Sequence, residues 1–441
     1  MKILSILGTL VLLLTLSGCY DATEPYDYAY VVAIGVDKAE KENEYEISVQ
    51  FAKPSQISGG SSEQGGSGGE TLGLITVEAP TIYSGINIAN NLLSKRFQLS
   101  HTKIIVVSEE IAKEGINDII YTVVRSTDLR PNMYVAVAKE SAKEYLASVE
   151  PEMEINPVKY YQLIFENTAA EYVPKSFSQH IYFYINSDER DVCLPIVAKS
   201  KEPKKESKGS ESSGGQGSEK GQESGSNESQ EENTELPQIE PKTNYDGFEY
   251  LEEEYVAGEV LANKKNKSEA MGTAVFSGDK MVGELNNVET EIYNILDGSF
   301  IYNYNTFYSE EYPKEPMAMT VRQYKPPTIS LKIKDKKPEI YVKINMEGSL
   351  VSVAGNYLLE KDIYKNEARI EGYIKEEVEK FLYKTSKDLG TDILGFGTRA
   401  KKEFINYSEF EKFDWPKAYK EAEFQVDVDF SIRRTGLIIK K

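Results

Sequence analysis

The segment KIIVVSEEIAKEGINDIIYTVVRS, Lys103–Ser126, contains the transition from which the fold of the first half can be argued. Its first six residues, Lys103–Ser108, form a short apolar run with the length of a buried strand. From Glu109 onward apolar residues recur at helical spacing, which predicts a helix over Glu109–Ser126. Ser108 is placed to cap this helix, and the two glutamates that follow suit the positive end of its dipole. The segment therefore predicts a strand followed directly by a helix.

The same alternation extends on both sides of this segment. Strands are predicted at Tyr28–Ala39, Glu44–Ala52, Thr71–Ala79 and Asn132–Lys139, and helices at Thr81–Phe97 and Ser141–Val149. A strand–helix–strand–helix series is typical of an α/β domain with a mixed sheet. We expect this domain to occupy residues 19–200.

The second half follows a different pattern. Its predicted elements are strands within Glu254–Ala262, Met271–Leu285 and Met317–Val353, helices at Asn287–Gly298 and about Leu358–Leu389, and a last strand with apolar Phe424, Val426, Val428, Phe430 and Ile432. The alternation in that last strand is typical of a sheet with one buried and one solvated face. We expect an α+β domain over residues 241–441. The fold class expected for the chain is mixed α/β and α+β, in two halves that contain two or three domains with mixed or antiparallel sheets and flanking helices.

Between the halves lies a segment without core-forming residues. Lys201–Glu235 contains no Ala, Val, Ile, Leu, Met, Phe, Trp, Tyr or Cys. Such a composition cannot bury apolar surface to offset the entropy lost on ordering, so we predict a disordered polar linker or loop over residues 201–240. As a flexible coil it spans on the order of 30–35 Å, which fits both a spacer between domains and a long surface insertion.

The amino terminus has the layout of an exported lipoprotein. Lys2 precedes the apolar run Ile3–Leu16, which is shorter than the about 20 residues that a membrane-spanning helix needs. The sequence Leu-Ser-Gly-Cys that ends at Cys19 resembles the bacterial lipobox. We predict a signal peptide over residues 1–18 and lipid attachment at Cys19, where two acyl chains give stable membrane attachment. The alternative is a buried cysteine behind an ordinary hydrophobic leader.

The charge balance is acidic. The chain has 71 Asp and Glu against 51 Lys and Arg, a formal net charge of −20 at pH 7. A balance of this sign argues against a nucleic-acid partner and against a polybasic contact with anionic lipid. The length of 441 residues fits two or three domains, and 40% hydrophobic residues suffice for their cores.

The residues that usually carry chemistry form no catalytic or metal-binding motif in this sequence. Cys193 is the one cysteine besides Cys19, and its apolar surroundings predict a core residue rather than a reactive thiol. His101 precedes a strand, where a surface or capping role is expected. The sequence GFGTRA, Gly395–Ala400, lacks the rest of a dinucleotide fingerprint and predicts a break between helix and turn. The acidic run Glu249–Tyr255 is typical of a solvated face. We expect no enzyme activity, no catalytic residue, no cofactor and no metal site.

Several longer segments carry a family resemblance. In chain order they are CYD (Cys19–Asp21), VVAIGVDK (Val31–Lys38), SHTKIIVVSEEIAKEGI (Ser100–Ile116) with Arg125, Asp128 and Arg130, GTAVFSGDKMVGEL (Gly272–Leu285) with Glu289 and Thr290, DILGFG (Asp392–Gly397), Trp415, and FSIRRTG (Phe430–Gly436). Together they resemble the Ger(x)C family, the lipoprotein C subunits of bacterial spore germinant receptors. The family's usual Cys-Trp-Asp start has Tyr20 in place of the tryptophan here.

The resemblance implies a role for the chain. Ger(x)C proteins are non-enzymatic lipoproteins that support nutrient-triggered spore germination. It implies a location on the extracytoplasmic face of the spore inner membrane or cell membrane, anchored by lipid such as palmitate on Cys19. It also implies integral-membrane A and B subunits as partners, with germinant binding attributed mainly to the B subunit.

Single residues within the matching segments also correspond to family positions. These residues are Gly272, Gly283, Arg433 and Gly436. We interpret the glycines as turn requirements, because glycine adopts backbone conformations that other residues avoid.

Two other functional classes stay open from the sequence. An extracytoplasmic solute-binding lipoprotein that captures a small nutrient needs a defined cleft with convergent polar groups. An exported enzyme acting on cell wall or lipid needs a carboxylate or histidine with a perturbed pKa in a cleft.

Overall fold

A computed structural model of the chain contains two β-sheets with helices packed against them. The structure describes residues 24, 27–53, 71–154, 156–166, 171–202, 242–245, 248–250, 254–309, 312–353 and 363–434. Cys19 and the signal peptide, linker residues 203–240 and Gly436 lie outside these residues. None of the helices described is long and apolar enough to cross a membrane.

The secondary structure comprises strands and helices that we number separately in chain order. The strands are β1 (Tyr28–Lys38), β2 (Tyr45–Ala52), β3 (Leu72–Ala79), β4 (Arg96–Gln98), β5 (Ile104–Ser108), β6 (Tyr134–Ala138), β7 (Cys193–Lys199), β8 (Lys242–Tyr245), β9 (Phe248–Tyr250), β10 (Ser268–Ser277), β11 (Lys280–Leu285), β12 (Tyr302–Ser309), β13 (Tyr312–Lys334), β14 (Lys337–Val353) and β15 (Glu423–Arg434). The helices are α1 (Ile82–Asn91), α2 (Glu109–Glu114), α3 (Asn117–Arg125), α4 (Ala142–Ser148), α5 (Pro157–Glu166), α6 (Ser178–Ile185), α7 (Asn287–Asp297), α8 (Ile363–Tyr383), α9 (Phe396–Ala400), α10 (Tyr407–Phe413) and α11 (Trp415–Tyr419).

The first sheet has nine strands in the order β11-β10-β7-β6-β5-β1-β2-β3, with β4 pairing with the start of β1. The central strands β1, β5, β6 and β7 run parallel. The hairpins β2–β3 and β10–β11 add antiparallel strands on the two sides. Helices connect the parallel strands β5, β6 and β7, and a two-residue turn connects β10 to β11. The predicted mixed sheet is confirmed.

Helices cover both faces of this sheet. Apolar residues of α1, α2, α3 and α6 form the core on one face, and those of α4 and α5 form the core on the other. Within β1, Val31 and Ile34 belong to the first core and Val32 belongs to the second. Strands that are buried on both faces read as nearly continuous apolar runs, which is why this strand could be recognised in the sequence.

The second sheet has the strand order β15-β14-β13-β12-β9-β8. Helices α7 and α8 contribute to its core, in which Val426, Val428 and Phe430 of β15 are buried, as predicted. The free edge of β15 is covered by α8. The carboxylates of Glu371 and Glu367 accept hydrogen bonds from the backbone N–H groups of Phe430 (3.0 Å) and Ile432 (2.7 Å). These acceptors replace a neighbouring strand and keep the edge from pairing with another chain.

The two sheets share a core. Cys193, Val275 and Leu285 of the first sheet belong to the same apolar cluster as the residues between α7, α8 and the second sheet. Cys193 is buried, as predicted, and burial raises the pKa of its thiol to about 11.

Several predicted element boundaries were wrong. The helix expected over Glu109–Ser126 is two helices, because Gly115 ends α2 with φ of +137°. The helix expected over Thr81–Phe97 ends at Asn91, and its last residues form β4 beside β1. Pairing with β1 in the first sheet therefore replaces the final helical turns.

Two elements of the second half also differ from their predictions. The strand expected over Glu254–Ala262 is a turn region, in which Gly258 has φ of +90° and Leu261 forms an isolated bridge with Lys201. The long helix expected over about Leu358–Leu389 is present over Ile363–Tyr383 and ends in a single π-helical turn, Lys384–Asp388, while residues 358–362 lie outside the described part of the chain. The helix over Asn287–Asp297 is confirmed, with Gly298 in the left-handed conformation at its end.

The sheets divide the chain at a different point from the predicted domain boundary. Strands β10 and β11 follow the linker, yet they pair with β7 and complete the first sheet. Residues 254–285 are thus part of the first sheet and its turns, and the second sheet takes its strands from residues 242–250 and from those after 301.

Candidate functional site

Three of the segments that share sequence features with a known family meet where the two sheets touch: Gly272–Leu285, Asp392–Gly397 and Trp415. We call this place the junction and define it by Asp191, Gly278, Asp392, Gly397 and Trp415. Asp191 precedes β7, Gly278 lies in the turn between β10 and β11, and the other three residues lie on α9, α11 and the loop before α9. The junction thus joins residues that are more than a hundred positions apart in the chain.

Asp191 connects the first sheet to the loop before α9. Its backbone N–H donates to the carbonyl oxygen of Asp392 over 2.9 Å. Its carboxylate accepts from the backbone N–H of Asp392 over 2.7 Å and from that of Gly278 over 3.4 Å. Burial raises the pKa of Asp191, and these backbone donors act in the opposite direction. One carboxylate therefore fixes the turn of the first sheet against the second part of the chain.

Asp392 forms the centre of the junction. Its Oδ1 accepts from the backbone N–H of Phe396 over 3.0 Å, and its Oδ2 accepts from Gly397 N–H over 2.7 Å and from Trp415 Nε1 over 3.0 Å. The residue is 2% exposed. Burial raises its pKa to about 6, while the three donors favour the ionised form. All of these donors come from the chain itself, so the carboxylate caps α9 rather than facing a cleft.

Close packing explains the glycines of GFGTRA. A Cβ atom at Gly397 would lie 2.6 Å from the carbonyl oxygen of Glu189 and 2.7 Å from Trp415 Nε1. Gly395 has φ of +69° and directly precedes α9. The predicted break between helix and turn at this motif is confirmed, and the motif serves the junction.

Charged groups surround the junction. The Nη2 of Arg190 donates to Tyr293 OH over 3.0 Å and to Asp297 Oδ1 over 2.9 Å, both on α7. The ammonium of Lys401, just after α9, pairs with Glu189 over 2.6 Å. These contacts tie the segment before β7 to two helices of the second part.

The hairpin β10–β11 packs against the end of α8. Lys384 donates to both carboxylate oxygens of Glu289, over 2.6 and 2.7 Å. Gly283 leaves room for the side chain of Leu389, whose Cδ2 would lie 2.6 Å from an added Cβ. Gly272 has φ of +88° at a register shift within β10, so its backbone conformation favours glycine although the residue lies in a strand and not in a turn. Gly283 lies within a strand without positive φ, so the interpretation as a turn requirement was wrong for it, and close packing is the reason for its lack of a side chain.

Arg433, from the last shared segment, lies on the second sheet outside the junction. Its Nε donates to Glu347 Oε2 over 2.9 Å, and Arg322 donates to the other oxygen of the same carboxylate. Burial of Glu347 would raise its pKa, but the hydrogen bonds from the two arginines outweigh burial and lower it. The three residues connect β13, β14 and β15.

A groove of about 870 Å³ in the described part of the chain lies beside β3. It is lined by apolar residues such as Leu72 and Leu74 and by the charged residues Lys53, Glu150 and Lys265. The buried Gln50 at its base is engaged internally, since its amide donates to the carbonyl oxygen of Leu146 and accepts from Tyr161 OH.

α/β sheets often bind ligands at the carboxyl ends of their parallel strands. In this chain a carboxylate of the protein itself occupies that position at the end of β1. Asp37 at the end of β1 accepts from the backbone N–H groups of Ala142 (2.7 Å) and Lys143 (2.8 Å) at the start of α4. Its carboxylate therefore occupies the place at which a ligand anion would meet that helix. Among the residues described, no group of three or more His, Cys, Asp and Glu side chains could hold a metal ion. His101 is exposed beside the ring of Tyr30, as expected for a surface residue.

Sequence reasoning missed the residues that carry the junction's hydrogen bonds. Asp191 follows Asp188, Glu189 and Arg190, and nothing in this charged neighbourhood distinguishes it from a solvated acid. Asp392 lies in a recognised motif, yet its partners Trp415 and Asp191 are distant in the chain. Only the convergence of separate motifs could have indicated that they form one site.

Comparisons with known proteins give one family model for each part of the chain. Residues 21–199 match the family model described as "Spore germination protein N-terminal domain". Residues 271–436 match the one described as "Spore germination B3/GerAC like, C-terminal".

Spore germination protein KC of Bacillus subtilis (strain 168) is 24% identical over 444 residues, which cover 98% of this chain and 96% of that protein. Among solved structures, the crystal structure of the GerBC protein is 14% identical and has a TM-score of 0.49, covering 91% of this chain and 96% of that one.

Proposed function

The chain belongs to the GerAC, or Ger(x)C, family of spore germination proteins, and we propose on that premise that it is the lipid-anchored C subunit of a nutrient germinant receptor. In this role it supports spore germination by assembling with integral-membrane A and B subunits. It lies on the extracytoplasmic face of the spore inner membrane or cell membrane. Its contribution is structural rather than enzymatic.

The meeting of three shared segments at the junction is the observation that carries this proposal. The carboxylate of Asp392 accepts hydrogen bonds from Gly397 and Trp415, and Gly397 packs closely against Trp415 and Glu189. A site built in this way fixes the relative placement of two sheets. Such a body suits a subunit that presents fixed surfaces to membrane partners.

The amino-terminal sequence supplies the anchor. The predicted lipidation of Cys19 places the chain on the membrane surface, where the search for membrane partners is confined to a plane and weak contacts become occupied. Two acyl chains suffice for stable attachment.

The test is Cys19→Ala in the native host, followed by spore fractionation and nutrient-triggered germination. We expect the protein to leave the membrane fraction and nutrient-triggered germination to fall, while germination triggered by dipicolinate continues. The dipicolinate arm is the control for spores that are damaged in later steps. Unchanged germination with the protein still in the membrane fraction would count against the anchor, and loss of both germination responses would count against a receptor-specific role.

A further inference from the structure

Three cations lie at the amino-terminal ends of the parallel strands of the first sheet. Arg96 pairs in register with Tyr28 at the start of β1, and Lys103 donates its backbone N–H to the carbonyl oxygen of Val32. Arg130 lies in the loop before β6, whose first residue pairs with the start of β5. The strands β1, β5 and β6 are parallel, so these residues lie at one end of the sheet. We call Arg96, Lys103 and Arg130 the basic rim.

His101 shows that members of the rim lie close together. Its ring packs edge-on against Tyr30 with centroids 5.2 Å apart. Partial burial lowers its pKa, and the nearby charges of Arg130 and Lys103 lower it further. Burial and the two cations thus act in the same direction on this imidazole.

The cations of the rim differ in their ion pairing from the lysines at the other end of the sheet. Arg96 and Arg130 are exposed, Lys103 is half-buried, and none of the three forms an ion pair with a described residue. At the carboxyl end of the parallel strands five lysines have glutamate partners: the pairs are Lys38–Glu110, Lys41–Glu78, Lys113–Glu109, Lys139–Glu284 and Lys143–Glu46. The charges of Arg96 and Arg130 are available to a partner outside the chain, whereas the charge of Lys103 also acts on the nearby carboxylate of Glu166.

The carboxyl end of the strands is acidic. Glutamates in its turns and helix starts include Glu40, Glu42, Glu44, Glu78, Glu109, Glu110, Glu140 and Glu144. The linker also leaves the sheet there, because it follows β7, which is parallel to β6. The net charge of the chain is −20, but in the first sheet the acidic residues lie at the carboxyl ends of the parallel strands and the basic rim lies at their amino-terminal ends.

The position of the proposed anchor relates the rim to the bilayer. Cys19 is five residues before Glu24, whose carbonyl oxygen accepts from Asp27 N–H over 3.0 Å just ahead of β1. Five extended residues span at most about 18 Å. A lipid on Cys19 therefore brings the amino-terminal end of the parallel strands close to the membrane surface, within about two Debye lengths at physiological salt. This step rests on the proposed function.

We propose that the basic rim contacts the anionic headgroups of the bilayer. In this orientation the amino-terminal ends of the parallel strands of the first sheet face the membrane. The lipid supplies attachment, and the rim supplies orientation. Glu24 and Asp27, on the incoming segment, and Asp128 are the acids nearest in sequence, and they limit the strength of the contact. The acidic end of the sheet faces away from the bilayer.

Vesicle binding tests the rim without the lipid. The mature chain from residue 20 onward is mixed with phosphatidylcholine vesicles with and without phosphatidylglycerol, and the bound fraction is measured by sedimentation. We expect binding that requires phosphatidylglycerol and weakens with added salt. The triple variant Arg96→Glu, Lys103→Glu, Arg130→Glu should lower the partition coefficient by roughly a hundredfold, since each basic residue near an anionic surface contributes about fivefold.

A matched variant carries the same change of charge elsewhere. Lys332→Glu, Lys336→Glu, Lys337→Glu alters three exposed lysines on the hairpin of β13 and β14 and should leave binding unchanged. Equal loss in both variants, loss only in the hairpin variant, or no preference of the unaltered chain for phosphatidylglycerol overturns the proposal. Unfolding curves of both variants confirm that they are folded.

A second measurement reads orientation on the lipidated chain. A fluorophore on Ser100→Cys, beside the rim, should be quenched by nitroxide-labelled headgroups, and one on Lys332→Cys should not. The native Cys193 is buried, so the introduced thiol is the one that reacts. Because the vesicle assay uses no lipid anchor, its failure overturns the rim alone, whereas failure of the Cys19→Ala experiment overturns the anchor alone.

Discussion

The indole N–H of Trp415 donates to Oδ2 of Asp392 over 3.0 Å, at a place where the two residues are 1% and 2% exposed. The bond joins α11 to the loop that touches the first sheet. A buried carboxylate that loses a donor cannot replace it with water, so this pair has a measurable role in stability.

Trp415→Phe removes the indole donor and keeps an aromatic ring in the core. We expect the free energy of unfolding to fall by about 1–3 kcal/mol, because Asp392 stays buried with one hydrogen bond fewer. Urea unfolding followed by circular dichroism measures the change. Tyr364→Phe, at a residue that is 87% exposed, serves as the control for an aromatic substitution. A Trp415→Phe protein as stable as the unaltered chain would show that the bond contributes nothing.

Asp392 should give the stability of the protein a specific pH dependence. Burial raises its pKa from 3.8 to about 6, so the folded chain binds this proton more tightly than the unfolded chain. Between these two values a rise in pH removes stability, and the loss is complete above about pH 6. We expect the stability of the unaltered chain, measured relative to Asp392→Asn, to fall from pH 4 to pH 6 and then to level. A difference that stays constant with pH would contradict a raised pKa.

Gly397→Ala should be more harmful than Gly278→Ala. The added Cβ at Gly397 would lie 2.6 Å from the carbonyl oxygen of Glu189, whereas nothing lies within 4 Å of one at Gly278. Overpacking costs about 1–3 kcal/mol, and the positive φ of +61° at Gly278 costs about 1 kcal/mol. Thermal unfolding of the two variants side by side ranks them. Equal shifts of Tm would mean that the junction relaxes around the methyl group.

Arg433→Gln should weaken the second sheet in a way that depends on pH. The pKa of Glu347 is lowered because the hydrogen bonds from Arg433 and Arg322 outweigh its burial. Stability from such a group is present above its ordinary pKa of 4.5 and is lost as pH falls below it. We expect Arg433→Gln to lose about 1 kcal/mol at neutral pH and to converge on the unaltered chain in acid. Lys332→Gln is the charge-matched control and should lose nothing at either pH.

The thiol of Cys193 should react only when the protein opens. It is 8% exposed, and burial raises its pKa to about 11, so thiolate is scarce at pH 8. In the chain from residue 20 onward it is the sole cysteine. We expect slow reaction with a chromogenic disulfide in native buffer and immediate reaction in urea. Rapid stoichiometric reaction of the native protein would identify an accessible thiol and contradict the core interpretation.

Local patterns in the sequence predicted the elements whose stability is local or periodic. The alternation of Val426, Val428 and Phe430 identified β15, and Gly298 marked the end of α7, because each signal depends on neighbours in the chain. The break at Gly115 was missed because helical spacing continues across it. The apolar pattern of Glu254–Ala262 fits a strand, but Gly258 has a positive φ and the segment forms turns.

Long-range relationships were beyond the reach of these patterns. The pairing of β10 with β7 joins residues separated by the whole linker, and nothing in either strand names its partner. The donors to Asp392 come from α9 and α11, so its role depends on tertiary contacts. Net charge averages the two ends of the first sheet, and it therefore concealed the cations at Arg96 and Arg130.

The late position of β10 and β11 has a consequence for folding. During synthesis from the amino terminus, β7 is complete long before residue 268, and until then it is an edge strand with apolar Leu194 and Ile196 uncovered. Exposed edges of this kind pair with other chains. Pairing across a long loop also slows folding, because the loop must close before the contacts stabilise it. The nascent protein thus passes through an aggregation-prone stage that ends only when residue 285 has emerged.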